Sequence, residues 1–140
     1  MIRKMEKKDL DRVSKIWLDT NIKAHDFIPA QYWEKNYGPV REMLPQAEVY
    51  VWEEKGQIQG FAGLYEEYIA GIFVPEQAQS KGIGGQLLNY IKGRKPYLSL
   101  KVYQKNIRAV KFYKREGFQI KKESADQETG EKEYTMEWHS

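Results

Sequence analysis

The stretch Gln79-Ser80-Lys81-Gly82-Ile83-Gly84-Gly85 is followed directly by the apolar-periodic run Gln86–Ile91. The residues before it, Ile69–Val74, are rich in β-branched and aromatic side chains and end at Pro75. This pattern predicts a strand, a glycine-rich turn and a helix. Glycines let the backbone approach a ligand closely, and the first N–H groups of a helix, at the positive end of its dipole, favour an anion. The stretch therefore predicts a phosphate-binding turn.

Two well-known nucleotide-binding loops do not fit this stretch. A Walker-type loop needs a lysine and a hydroxyl residue after the turn, and Gly84-Gly85-Gln86 supplies neither. The dinucleotide fingerprint needs a third glycine where Leu87 stands, and no acidic residue follows at a clear strand end about twenty residues on. A nucleoside triphosphatase and an NAD-binding protein are therefore both disfavoured.

The composition is that of one globular domain, which we expect to span residues 1–140. Hydrophobic residues make up 41% of the chain and charged residues 31%, a balance typical of soluble folded proteins. No apolar run approaches the length that spans a bilayer, and Met1–Asp9 lacks the apolar segment of a secretory signal. We therefore expect a cytoplasmic protein with no membrane partner.

The residues that carry metal and thiol chemistry are scarce. The chain has no cysteine, and its two histidines, His25 and His139, are far apart in sequence, so we expect no metal site and no thiolate nucleophile. The net charge of +3 comes from 23 basic and 20 acidic residues, a balance that does not indicate nucleic acid. A weaker alternative is nucleic-acid binding by the basic residues of the second half: Lys92, Arg94, Lys95, Lys101, Lys105, Arg108, Lys111, Lys114 and Arg115.

Hydrophobic periodicity gives the element order β, α, α, β, β, β, α, β, α, β, β. This order predicts an α/β (mixed α+β) domain with one mixed sheet of six or seven strands, largely antiparallel in its first half, and about four helices on its two faces. Asp9 is a candidate N-cap of the first helix, and Asn106 of the last. Gly38-Pro39 leaves a kinked second helix, two short helices or one long helix open, and Gly117 is a candidate C′ residue.

A second motif follows the glycine-rich turn. Residues Asn106–Phe118 match every position of the pattern Asn-x-x-Ala-x-x-Phe-Tyr-x-x-x-Gly-Phe, and Gln79, Gly82 and Gly84 form Gln-x-x-Gly-x-Gly after Val74-Pro75. Together the two motifs resemble those of the GCN5-related N-acetyltransferase (GNAT) superfamily, and the resemblance covers about residues 57–140. The break at His25–Phe27 and the short chain are similar to a group of small bacterial acetyltransferases of the YjaB type.

The resemblance implies acetyl-CoA as the acetyl donor. Main-chain groups of Ile72, Phe73 and Val74 would pair with the two amides of the pantetheine arm, like an added strand. Asn106 would bond the same arm where two parallel strands splay apart. A side chain at Gly84 would occupy the place of a phosphate. The pyrophosphate would bind the turn residues, in which Lys81 stands where the family often has arginine: Gln79, Ser80, Lys81, Gly82, Ile83, Gly84 and Gly85.

The same resemblance assigns the chemistry to Tyr113 as the proton donor to the leaving thiolate. A thiol has a reference pKa of about 8.5 and a phenol of about 10, so the proton transfer is uphill by about 2 kcal/mol. The structural alternative is that Phe112-Tyr113 only packs the helix onto the sheet, and we assign Phe112 to the core.

The residues that receive the acceptor are less defined. His25, Phe27 and Glu67 are candidates for the acceptor site, and Glu66, Glu67 or His25 for a general base, with water as sufficient base in their absence. Solvated loop charges and a surface histidine are the structural alternative. The acceptor is a small-molecule or protein amine, and the protein is a monomer or homodimer.

The sequence thus predicts an N-acetyltransferase that moves an acetyl group from acetyl-CoA to a primary amine. We expect direct attack in a ternary complex, because no cysteine is present to carry an acyl group. The alternative is a non-catalytic CoA-binding or regulatory module on the same fold.

Overall fold

The computed structural model describes all 140 residues, and its elements follow the predicted order. A short turn of 3₁₀ helix precedes α1, follows α2 and follows β4. The four helices are α1 Leu10–Ala24, α2 Ala30–Met43, α3 Ile83–Lys92 and α4 Ile107–Arg115. The seven strands are β1 Ile2–Lys4, β2 Glu48–Glu54, β3 Gln57–Tyr65, β4 Tyr68–Phe73, β5 Tyr97–Tyr103, β6 Gln119–Ala125 and β7 Lys132–His139.

The seven strands form one mixed sheet in the order β1-β2-β3-β4-β5-β7-β6. Every neighbouring pair is antiparallel except β4 and β5, which run parallel. Parallel neighbours need a crossover connection, and here α3 supplies it. The predicted mixed sheet, antiparallel in its first half, is confirmed.

Helices cover both faces of the sheet, as predicted. Successive strand residues point to opposite faces, so Phe61 belongs to a core beneath α1 while Ala62 belongs to a core beneath α3 and α4. In α3 the apolar residues recur at helical spacing, and each buried leucine contributes about 1.5–3 kcal/mol. The fully buried residues of this helix are Leu87, Leu88 and Ile91. None of the helices combines the length and apolar character that crossing a membrane requires.

Two local predictions of the first half are decided by the structure. α2 continues through Gly38 and Pro39 as one helix, because both residues are exposed and water can satisfy the carbonyl that proline leaves free. Asp9 is not the side-chain N-cap of α1: it is buried, and its carboxylate accepts two hydrogen bonds from Arg3 (2.7 and 3.1 Å) and one from the Glu6 amide (2.7 Å). The prediction for Asp9 was therefore wrong.

Candidate active site

The parallel strands β4 and β5 separate soon after they meet. They pair only at Tyr68 with Ser99 and at Ile69 with Leu100, after which β4 continues to Phe73 and β5 to Tyr103 without a shared bond. The edge of β4 that faces β5 therefore has no strand partner beyond Ile69. This opening is the splay that the sequence comparison implied, and it can accept an extended ligand that carries amides.

A β-bulge lies at the start of the opening. The β3–β4 register pairs Gly63 with Gly71 and Leu64 with Ile69, so Ala70 has no residue opposite it. A bulge bends its strand and re-aims the local main-chain and side-chain groups. The sequence analysis did not predict this bulge, because Ala70 carries no local signal for it.

The three predicted strand residues follow the bulge and alternate between the two cores. Phe73 turns toward α1, where its ring stacks on Phe61 with centroids 4.8 Å apart. Ile72 and Val74 pack against the core beneath α3 and α4. Their side chains are thus used for packing, which leaves the main chain as the part of the strand that a ligand can reach.

The glycine-rich turn presents unpaired donors. The main-chain N–H groups of Gly82, Ile83, Gly84 and Gly85 donate no hydrogen bond to another main-chain group, and the first bonded one is Gln86 to the Gly82 carbonyl at 3.0 Å. Four such donors at the positive end of α3 favour an anion. The local geometry of the predicted phosphate-binding turn is therefore present.

Glycine is needed in this turn for its backbone conformation at one position and for close packing at another. Gly82 has φ of 80°, a left-handed conformation that residues with a Cβ rarely adopt. Gly84 lies inside α3, and a Cβ there would be 3.6 Å from Phe112 Cζ and 3.9 Å from Ile72 Cγ2. The expectation that a side chain at Gly84 would occupy the place of a phosphate was wrong, because it would face α4 and β4 instead.

Gln79 connects the turn to its surroundings. Its Nε2 donates to the Val74 carbonyl at 2.8 Å, and its Oε1 accepts a hydrogen bond from Arg108 Nη1. The guanidinium of Arg108 is thereby held near the turn by a neutral partner. Sequence analysis had placed Arg108 only in the basic group of the second half, because its contact with Gln79 spans 29 residues. Ser80 and Lys81 are exposed beside these residues.

The basic residues of the second half divide into two sets. Four of the nine lie in ion pairs, with N–O distances of 3.0 to 4.0 Å: Lys92, Lys95, Lys101 and Lys105. Arg108, Lys111, Lys114 and Arg115, all on α4, have no acidic partner within 4.0 Å. The unpaired charge is therefore concentrated on one helix beside the glycine-rich turn.

Tyr113 lies on α4 with its ring in the core. Its side chain contacts Phe112 and Phe118 with ring centroids 5.1 and 5.5 Å apart, and the residue is 7% exposed. Burial raises the pKa of its phenol, and the nearby Tyr68 raises it further. Tyr113 is therefore protonated at neutral pH, which is the state that a proton donor requires. Phe112 packs against the same core, as expected.

Asn106 caps α4 as predicted, and it also bonds a residue from the first half of the chain. Its Oδ1 accepts from the Ala109 amide at 3.2 Å, and its Nδ2 lies 3.1 Å from His25 Nε2. Because Oδ1 is the cap acceptor, Nδ2 must donate, which assigns the neutral His25 tautomer with its proton on Nδ1. Both polar ends of Asn106 are thus bonded within the protein, and its contact with the pantetheine arm stays a prediction.

His25 belongs to an aromatic cluster at the α1–α2 connection. Its ring stacks on Trp33 at 5.2 Å and meets the edges of Tyr103 and Phe27 at 5.1 and 5.6 Å. Burial lowers the pKa of His25 to about 4, although the Asn21 carbonyl opposes the change. His25 is therefore neutral at pH 7, and its Nε2 is already occupied by Asn106, so this nitrogen is not free to act as a base.

The predicted carboxylates lie at the wrong end of β4 for chemistry in the opening. The Glu67 main-chain oxygen accepts from the Ser99 amide at 3.0 Å, on the side where β4 and β5 still pair. Its exposed side chain lies near Tyr97. Glu66 is also exposed, in the turn before β4. Phe27, in contrast, lies near the end of β5, where its ring contacts Tyr103 at 5.8 Å.

An opening between two parallel strands, a turn of free N–H groups and a buried phenol together define an acyl-CoA-type transferase site. Residues 45–120 match the sequence model of the acetyltransferase (GNAT) domain, and the chain belongs to this family. Its similarity extends to two proteins of the small bacterial group. It is 37% identical over 140 residues to the peptidyl-lysine N-acetyltransferase YiaC of Escherichia coli K12, covering 99% of this chain and 96% of YiaC.

Structural similarity agrees with this assignment. The solution structure of apo YjaB from Escherichia coli superposes with a TM-score of 0.87 at 26% identity, covering 99% of this chain and 96% of YjaB. YncA from Salmonella typhimurium, whose structure contains acetyl-CoA, has a TM-score of 0.69 at 17% identity, covering 99% and 92% of the two chains. The second comparison supports the fold, and the first also the predicted YjaB-like group.

Proposed function

We propose that this protein transfers the acetyl group of acetyl-CoA to the ε-amine of lysine in a peptide or protein. The observation that carries the proposal is the opening between β4 and β5, which begins near Tyr68 and leads along β4 to the turn of free N–H groups. Tyr113 lies close to the first end, since Tyr68 influences its pKa. A thioester and a pyrophosphate are thus each offered a fitting site on one continuous strand.

Each part of acetyl-CoA has a counterpart in the site. The amides of pantetheine would pair with the free edge of β4 at Ile72–Val74, and the pyrophosphate would bind the N–H groups of Gly82–Gly85. Hydrogen bonds to a charged group contribute about 1.5–3 kcal/mol each. Arg108 and Lys81 add positive charge beside this turn. A few such bonds suffice for micromolar affinity after the costs of association.

The reaction follows from the two ends of the site. The amine nitrogen attacks the thioester carbon, a C–N bond forms, and the C–S bond breaks with its electrons going to sulfur. Tyr113 donates its proton to the thiolate, and the resulting phenolate takes a proton from the new amide nitrogen. Burial raises the pKa of Tyr113 above 10, and the same dry surroundings raise that of the thiol, so the two values move together.

The names of the relatives support lysine as the acceptor, because YiaC and YjaB are both peptidyl-lysine N-acetyltransferases. They do not separate a lysine in a protein from a small amine for this chain. A cytoplasmic location, a monomeric or homodimeric state, a single domain over 1–140 and the absence of nucleic-acid partners all stay predictions.

The decisive experiment is a thiol-release assay with acetyl-CoA and a matched panel of acceptors. The panel contains a lysine peptide, the same peptide with its lysine replaced by norleucine, and small primary amines. Thiol release with the lysine peptide alone, together with a mass increase of one acetyl group on lysine, is the expected result. Acetyl-CoA binding by calorimetry with no thiol release for any acceptor would indicate the non-catalytic module instead.

A further inference from the structure

One face of the second half of the sheet carries polar residues close to the opening. β5 and β7 are paired along their whole length, with Tyr103 opposite Glu133. The buried residues Leu98, Leu100 and Met136 point to the opposite face. The polar face consists of Ser99, Lys101 and Tyr103 from β5, and Glu133, Thr135 and Glu137 from β7.

Glu133 is the carboxylate of this face that lies beside the opening. Its partner Tyr103 is three residues beyond Leu100, the last residue of β5 that pairs with β4. The side chain of Glu133 is only 12% exposed. Its one cationic neighbour is Lys101, whose Nζ lies 4.0 Å away and whose side chain is 52% exposed. The carboxylate is thus enclosed, with an ion pair at the limit of contact.

The charges around Glu133 favour proton uptake. Burial raises the pKa of Glu133 above its ordinary 4.5; Lys101 on β5 lowers it, and Asp126 in the β6–β7 hairpin raises it. The neighbouring phenols respond in turn: burial and then Glu133 raise the pKa of Tyr68 on β4, and Glu133 is a smaller cause of the raised pKa of Tyr32 on α2. A carboxylate whose pKa approaches the working pH is a better general base than an ordinary one.

Tyr68 links Glu133 to the proton donor. Its phenol lies near enough to Glu133 to have its pKa raised, and near enough to Tyr113 to raise the pKa of that residue. Glu133 and Tyr113 therefore lie on either side of Tyr68, one at the polar face and the other in the core beneath α4. Glu67, in contrast, lies beside Tyr97 at the closed end of the same strands.

From this placement we propose that Glu133 is the general base of the reaction, with Lys101 holding the place of the acceptor's ammonium when no acceptor is bound. The inference rests on the proposed function. The Glu133 carboxylate takes one proton from the acceptor ammonium, which leaves a neutral amine to attack the thioester. That proton passes from Glu133 to solvent, and the second nitrogen proton balances the one that Tyr113 gives to the sulfur.

The test is the pH dependence of kcat/KM for a lysine peptide in the wild type and in Glu133→Gln. Gln keeps the size of the side chain but cannot take up a proton. We expect kcat at pH 7 to fall about 10²-fold with little change in the acetyl-CoA dissociation constant. The variant should lose the acidic limb of the wild type and gain rate steadily toward the amine pKa of about 10.4, where solution deprotonation replaces the base.

Three further variants separate a base from a structural residue. Glu133→Asp should retain an acidic limb at reduced kcat, because it keeps a carboxylate. Lys101→Met should move the acidic limb to higher pH, since Lys101 lowers the pKa of Glu133. Glu137→Gln is the matched control on the same strand and face, and its kcat and acidic limb should equal those of the wild type.

The failures of the two proposals are distinguishable. A wild type that binds acetyl-CoA but acetylates no amine would overturn the proposed function. An active wild type whose kcat and acidic limb are unchanged by Glu133→Gln would overturn only the role of Glu133. Loss of the acidic limb in Glu67→Gln instead would assign the base to Glu67. Native acetyl-CoA affinity in Glu133→Gln confirms that the variant is folded.

Discussion

The two ends of the opening are built in different ways. The end toward the glycine-rich turn uses main-chain N–H groups of four consecutive residues, Gly82–Gly85. The end toward the polar face uses side chains brought together from β4, β5 and β7, with Tyr68, Lys101 and Glu133 separated by more than thirty residues at each step. A ligand group common to all acyl-CoA molecules is thus met by local backbone, and the variable acceptor by side chains from distant parts of the chain.

The largest effect expected at the boundary between the two ends is that of Tyr113→Phe. Removing the proton donor should lower kcat about 10²-fold while acetyl-CoA affinity changes little. Steady-state kinetics with a saturating lysine peptide, together with calorimetry, provide the two measurements. Tyr90→Phe, which removes a hydroxyl from α3 in contact with Tyr50, is the matched control. Unchanged turnover in Tyr113→Phe would assign the proton to water and leave Tyr113 to the core.

How much of each end was predictable follows from the same difference. The turn, the Asn106 cap and Gly117, which has φ of 94° after α4, all depend on neighbours within a few residues. Local spacing was sufficient for them. The bulge at Ala70 depends on the register between β3 and β4, and the position of Glu133 depends on the pairing of β5 with β7. Neither pairing can be read from a short window of sequence.

The errors have the same origin. Glu67 was chosen because it precedes β4 in sequence, but the strands diverge only beyond Ile69 and Leu100, so its side chain lies at the closed end. Gly84 was correctly placed at the helix start, but the direction of its missing side chain depends on the contact between α3 and Phe112 of α4. In both cases the residue was recognised from its neighbours, and its surroundings came from the tertiary structure.

Gly82→Ala tests the backbone end of the comparison. A Cβ at φ of 80° costs about 1–2 kcal/mol, and relaxation of the turn would displace the N–H groups that face the anion. We expect acetyl-CoA to bind about tenfold more weakly by calorimetry. Gly93→Ala, at φ of −69° after the same helix, is the control and should bind normally. Native affinity in Gly82→Ala would show that the pyrophosphate binds elsewhere.

Arg108→Gln tests whether a side chain contributes to this same end. The guanidinium is held by Gln79 and has no acidic partner, so its charge is available to a phosphate. We expect the dissociation constant of acetyl-CoA to rise about fivefold and its dependence on salt to become weaker. Arg94→Gln changes the charge equally at the far end of α3, where Arg94 stacks on Tyr90. Equal effects of the two variants would reduce Arg108 to a general contribution of net charge.

The contact between His25 and Asn106 joins the two ends, and its effect on stability should depend on pH. Because burial lowers the pKa of His25 to about 4 in the folded protein, below the unfolded value of about 6.5, its contribution is complete above pH 6.5 and is lost as the pH falls toward 4. The side chain is partly exposed, so we expect a loss of no more than about 1 kcal/mol between pH 7 and 5.

Urea unfolding at both pH values, in the wild type and in His25→Phe, isolates this contribution. The phenylalanine retains the stacking with Trp33 but has no charge at any pH, so its stability should fall less on acidification than that of the wild type. Equal falls in the two proteins would mean that His25 is as well solvated in the folded state as in the unfolded chain. The acceptor end and the helix of Tyr113 would then be joined by packing alone, without a buried hydrogen bond sensitive to protonation.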